Sequence, residues 1–184
     1  MSDYLELARK AQENPSDADF VALREAYVDS EHYRPTSHYS SGKLIGTTNG
    51  LDSFESVVEF CTHVLDQNPM DLEVRLLLEY TYEQLNDAEN VQRQHDFVMG
   101  MIGAIYASGD GKSFESALKV VAVAEEYTLL SLSRLQVKFQ QLIEHNGRRF
   151  DVLTCVRRND EDNSDIRLYF DITDPFSYLQ NMSE

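Results

Sequence analysis

The sequence predicts an α+β fold, mainly α: a helical bundle that ends in a β-hairpin. Three observations carry this expectation. Apolar residues recur at steps of three and four through the first two-thirds of the chain. The period changes to two near Phe150, and the two strand-like runs beyond it flank an acidic, turn-forming stretch. At 184 residues the chain has the size of one domain. It is read as a single domain over 1–184, with a helical part over 16–147, a long loop over 30–52, and the hairpin with its tail over 148–184. A chain this long buries roughly 70% of its unfolded surface, so the fold needs no disulfide or metal staple.

Ser16 is placed to cap a helix in which Phe20, Leu23 and Tyr27 share one face, with Asp19 in the first turn. The segment from Ser30 to Gly50 holds Pro35, Gly42, Gly46 and Asn49-Gly50 without a sustained period, and reads as a loop. Ser53 then caps a helix carrying Phe54, Val57, Val58, Cys61, Val64 and Leu65, stopped by Asn68-Pro69. Asp71 caps the next, with Val74, Leu77, Leu78, Thr81 and Leu85 on one face, and a third helix runs over 88–107. Gly109-Asp110-Gly111 reads as a helix–helix turn before a widely apolar helix over 113–128. A further helix over 131–145 carries Leu132, Leu135, Phe139 and Leu142, with Gly147 as its stop. The strands of the hairpin are 150–156 and 166–172, joined across the acidic stretch 159–165. A lone hairpin is marginal in water, so it is expected against the flank of the helices.

Two resemblances follow from these residues. The run Ser53 to Pro69, ending in Leu65-Asp-Gln-Asn68-Pro69, and the run Leu72 to Asp87 after it, resemble one and a half tetratricopeptide repeats. About three repeats make a stable solenoid, so this is repeat-like packing within a domain. The series Leu23-Arg24-x-x-Tyr27-x-x-Ser30-x-x-Tyr33-x-Pro35, Asn68-Pro69, Ser108-Gly109-Asp110-Gly111-Lys112-Ser113, Glu125-Glu126-Tyr127, Phe150-Asp151-Val152-Leu153 and Leu168-Tyr169-Phe170-Asp171-Ile172 resembles a bacterial family known only as a domain of unknown function. That resemblance implies fold and kingdom and transfers no chemistry.

Charge narrows the function classes. Thirty-two acids against sixteen bases give a formal net charge of -16 and a pI near 4.6. Neutralising phosphates takes a Lys/Arg patch, so neither a nucleic-acid partner nor an anionic membrane surface is expected. A basic protein partner is. No stretch has the eighteen or more apolar residues of a membrane span. The opening Met1-Ser2-Asp3-Tyr4-Leu5-Glu6 lacks the basic and apolar regions of a secretory signal, which predicts a cytoplasmic protein. Cys61 and Cys155, without CxxC partners, read as buried thiols.

The candidate residues are weighed on chemistry. Gly111-Lys112-Ser113 is not a Walker loop, because Tyr106 stands where that loop needs glycine and a helix stands where it needs a strand. No histidine pattern supports a metal site, and no cofactor is implied. An enzyme would have to use Glu125, on the face expected to be most buried, and His95, between Val91 and Val98 on an apolar line. Glu126 is read as solvated. The leading reading is a non-enzymatic protein-interaction module with Tyr27, Tyr33, Tyr80 and Tyr82 as binding candidates, because tyrosine is a preferred interface anchor. The alternative is an immunity-type inhibitor of a basic bacterial toxin, presenting Asp160, Glu161 and Asp162.

Overall fold

Capping side chains and apolar spacing set the helices in the computed structural model, which describes residues 4–39, 41–158 and 164–182. Contacts gather into two compact units, Met1–Gly103 and Ala104–Glu184. The fold class is the expected one, α+β and mainly α. No helix among the described residues is long and apolar enough to cross a membrane.

The first unit begins with α1 (Tyr4–Glu13), which the sequence reading did not include. Its buried face is Tyr4, Ala8 and Ala11, at helical spacing. A one-turn 3-10 helix, Pro15–Asp17, follows. It consumes Ser16, so α2 (Phe20–Val28) is capped instead by Asp19, which accepts from the Ala22 N–H at 3.0 Å. The expected loop contains a helix, α3 (Ser41–Thr48). Its glycines argue against helix locally, but Leu44 buries into a core with Cys61, Leu65, Val74 and Leu78, and tertiary packing outweighs propensity. α4 (Phe54–Gln67) and α5 (Leu72–Gln84) start at Ser53 and Asp71 as the sequence predicts, each cap accepting an N–H three residues on, at 3.2 Å. α6 (Ala88–Ala107) packs on α2 where the Phe20 and Phe97 rings meet edge-on, 4.9 Å apart. Gly100 makes that approach possible, since a Cβ there would lie 2.1 Å from the Phe20 ring.

The second unit corrects two helices. No single helix spans 113–128. Residues 108–116 form a turn in which Gly111, at φ +70, donates to the Ser116 carbonyl at 2.8 Å. The turn leads to β1 (Leu118–Lys119), not to a helix, and α7 (Val123–Leu132) starts only afterwards. Every residue of the run Ala117 to Ala122 except Lys119 is buried, beside the strand Ile166–Asp171, and a short buried strand segment has the same apolar composition as a buried helix. The helix expected over 131–145 is a strand, β2 (Leu135–His145). The alternation Leu135, Val137 is the strand signal, and a bulge at Lys138 then moves Phe139 opposite Thr154 and leaves it exposed. Asn146-Gly147 is a hairpin turn rather than a helix stop. Both residues have positive φ, 50 and 76, as a type I′ turn demands. β3 (Arg148–Arg157) pairs antiparallel with β2 and with β4 (Ile166–Asp171). The predicted hairpin is therefore present, with Val152 opposite Tyr169 and Leu153 opposite Leu168. It is the middle of a four-stranded sheet in the order β1-β4-β3-β2, not an appendage to helices. α8 (Thr173–Asn181) closes the unit.

Candidate functional site

An open groove of about 480 Å³ runs along the first unit. Its floor comes from three elements: Leu51 after α3, Phe54 and Val57 at the start of α4, and Leu77 and Tyr80 on α5. Local chemistry holds each wall. Leu51 donates its N–H to the Thr48 carbonyl at 3.0 Å, which fixes the bend before α4. The Ser53 cap makes Phe54 the first helical residue of α4 and leaves its ring 44% exposed. Tyr80 lies on the outer side of α5 and is 52% exposed. Thr81 turns its hydroxyl onto the Leu77 carbonyl, at 2.7 Å, and so offers the groove no free donor. The rim is acidic, with Asp52 and Glu55. Its own backbone N–H, in the first turn of α4, and the Ser53 hydroxyl hold the Glu55 carboxyl below the usual carboxylate range, so it stays charged. An apolar floor with two exposed aromatic rings and an anionic rim suits an apolar side chain flanked by cations.

Beside this groove the first unit buries a polar core. Asp71 caps α5 and also accepts from the Tyr39 N–H at 2.6 Å, which ties the segment before α3 to the start of α5. Burial pushes its carboxyl up, against His38 and the two N–H groups that pull it down. Arg75, one turn on, lies over the Phe97 ring at 3.3 Å and donates to the Pro69 carbonyl and to Gln94, both at 2.9 Å. Desolvation lowers its guanidinium pKa to about 9. The second unit buries carboxyls. Glu125, in the first turn of α7, accepts from the Val121 N–H at 2.9 Å. Glu126 is wholly buried, and neither of its oxygens has a hydrogen-bond partner among the described residues. Burial, then Asp151, then Glu125 push its pKa well up. Asp151 receives Gln140 at 2.9 Å, and Gln140 in turn accepts from the Tyr127 hydroxyl at 3.0 Å.

Residues 4–181 match a family described as a domain of unknown function, DUF4919. The chain belongs to that family. No curated protein and no solved structure matches it. Within this DUF4919 chain several residues that carry the resemblance are interior: Leu23, Tyr27, Tyr33, Glu125, Phe150, Leu153 and Phe170 are all buried.

The tyrosines singled out from sequence divide accordingly. Tyr80 lines the groove and Tyr82 packs half-buried on the core behind it. Tyr27 and Tyr33 are interior rings, 5.2 Å apart and edge-on, with the Tyr27 hydroxyl accepting from the Arg34 N–H at 3.1 Å. Asp160, Glu161 and Asp162 lie outside the described residues. His95 is not a core residue. Its ring is exposed and pairs with Glu79 at 3.0 Å, because the buried stripe of α6 runs through Gln94, Phe97, Val98 and Met101. Glu125 is buried as expected, but Glu126 is buried too, not solvated. Phe54 is on the apolar stripe of α4 but exposed rather than core: its place next to the cap, at a helix end with no preceding turn to cover it, is the signal that marks it.

Proposed function

We propose that this chain is a non-enzymatic interaction module whose groove, between α4 and α5, takes an exposed segment of a basic protein. The observation that carries the reading is the pairing of two exposed aromatic rings, Phe54 and Tyr80, with an anionic rim in one concavity. Large apolar side chains exposed singly are ordinary, but two in one groove with Leu51, Val57 and Leu77 mark a contact surface. Charge complementarity selects the partner. Asp52 and Glu55 at the rim, within a chain of net charge -16, repel acidic segments and speed the approach of basic ones.

Selection from a displayed random-peptide library against the whole protein tests this. The reading expects enriched peptides that share one aromatic or large aliphatic anchor with Lys or Arg within a few positions. It also expects their binding to fall at least tenfold in Tyr80→Ala and to weaken as salt is raised. Enrichment of acidic peptides, or of peptides that bind Tyr80→Ala equally well, overturns it.

A further inference from the structure

One strand of the second unit carries large apolar residues on the outside. β2 is an edge of the sheet, in the order β1-β4-β3-β2. It is 11 residues long and seven of them are exposed, including Phe139 at 57% and Leu142 at 54%. A long apolar edge is a template for another strand, and proteins guard such edges with lysines and bulges. Here both guards fall at Lys138, where the register slips between Val137 and Phe139. Beyond it, residues 139–145 pair with β3 without a further shift, up to the turn at Asn146-Gly147. The guard ends where the exposed apolar residues begin.

The hairpin sets which backbone groups face outward. A two-residue turn closes on a hydrogen-bonded pair, here His145 and Arg148, and the ladder alternates from there. Phe139, Gln141, Ile143 and His145 therefore turn their N–H and C=O groups to β3, and Gln140, Leu142 and Glu144 turn theirs to the open side. Side chains alternate as well. Phe139, Gln141, Ile143 and His145 share one face of the sheet, where His145 stacks flat on the Phe114 ring at 4.4 Å and Ile143 packs on Phe150 and Val152. Gln140, Leu142 and Glu144 share the other face.

We infer that β2 pairs antiparallel with β2 of a second copy of this chain, on a two-fold axis through Leu142. The regular stretch 139–145 is centred on that residue. Gln140, Leu142 and Glu144 of one copy exchange backbone hydrogen bonds with Glu144, Leu142 and Gln140 of the other, about six bonds in all. Leu142 covers its own counterpart, and each Phe139 stands opposite the second copy's His145, beside the Phe114 ring stacked on it. Charge favours a second copy over a foreign strand. Lys138 and Glu144 are already neutralised, by Asp165 at 2.7 Å and by Arg149 at 2.6 Å, so this edge draws neither a basic nor an acidic segment. In the self-paired register Glu144 lies opposite Gln140, two residues from Lys138, and no like charges face each other. The acidity of the chain lies mostly elsewhere: residues 104–184 hold nine Lys and Arg against thirteen Asp and Glu, and so carry -4 of the net -16. Seven paired residues span about 24 Å, which places the contact at the small, reversible end of specific interfaces. The inference does not depend on the groove.

Sedimentation equilibrium of the whole protein tests it. The parent is expected to dimerise reversibly, with a Kd on the order of 10–100 µM. Leu142→Lys and Leu142→Glu each set two like charges on the axis. Each is expected to weaken dimerisation at least tenfold and to keep the parent's circular dichroism spectrum, since the side chain is exposed in the single chain. An equimolar mixture of the two variants is expected to restore dimers, because opposite charges then meet at the axis. Leu132→Lys, on a leucine of α7 that is 48% exposed, is expected to leave the parent's Kd unchanged. A parent that stays monomeric up to about 1 mM overturns the inference. So does a dimer that Leu142→Lys leaves intact, or a mixture of the two variants that remains monomeric.

Discussion

Glu126→Met removes both unpartnered oxygens from the first turn of α7 while keeping an unbranched side chain of similar length. In the folded chain the Glu126 carboxyl is pushed well above the usual range, chiefly by burial and then by the Asp151 and Glu125 carboxylates. In the unfolded chain it titrates near 4.3. Between those two values the native state binds one proton more than the unfolded state, so the stability of this unit falls as pH rises. The neutral carboxyl's full contribution is present below about pH 4.3 and is lost progressively above it. One such group gives a slope of at most about 1.4 kcal/mol per pH unit, hence at most about 2.7 kcal/mol over two units. Asp151, also raised by burial, adds to the slope with the same sign. The methionine variant lacks the Glu126 share and no longer buries two unsatisfied acceptors, a defect of about 1–3 kcal/mol. Native-state hydrogen exchange at β3 amides, between pH 5 and 7, reports on this unit alone. The expected result is a variant more stable than the parent, with an advantage that widens as pH rises. A variant with the parent's slope, or one less stable at pH 7, refutes the reasoning.

Gly100→Ala is expected to destabilise the first unit by about 1–3 kcal/mol, because its methyl group would overlap the Phe20 ring, and Phe20→Leu in the same chain should recover part of that loss in a urea titration. Asp71→Ala removes the α5 cap and the acceptor for the Tyr39 N–H together; a loss of about 2–3 kcal/mol is expected, with faster proteolysis over residues 29–39, and unchanged cleavage there would contradict the role assigned to it. Both thiols are buried, and burial pushes Cys61 up to about 12 and raises Cys155, so neither should react with an aromatic disulfide reagent at pH 8 until the chain unfolds; rapid native labelling of either would show the packing to be wrong.

Where a capping side chain precedes a clean period, the sequence reading located the element to the residue. Ser53 and Asp71 are the cases, since cap and apolar stripe there demand the same helix. Reading failed where two signals compete. Leu135, Val137 and Phe139 alternate, yet Leu132, Leu135, Phe139 and Leu142 also fit a helical line, and only the Asn146-Gly147 turn decides for the strand. The run 117–122 depends on pairing with a strand some fifty residues later, which no local window contains. That misplacement propagated to the candidate site. A helix started at Ser113 puts Glu126 on the outside, whereas α7 starts at Val123 and buries both glutamates in its first turn. The groove was half legible. Its tyrosine was identified, but the contribution of Leu51 depends on the position of a bend within a segment read as loop.

The central claim, that the α4–α5 groove is the surface that takes a partner, is tested most directly by hydrogen exchange with and without a library-selected basic peptide. Protection is expected over residues 48–57 and 77–81, the stretches that line the groove, with none gained in β2, β3 or β4. In the double variant Phe54→Ala, Tyr80→Ala the same peptide is expected to give no protection, while exchange in the free protein elsewhere stays as in the parent. Protection confined to the second unit, or protection over 48–57 that survives loss of both rings, contradicts the claim.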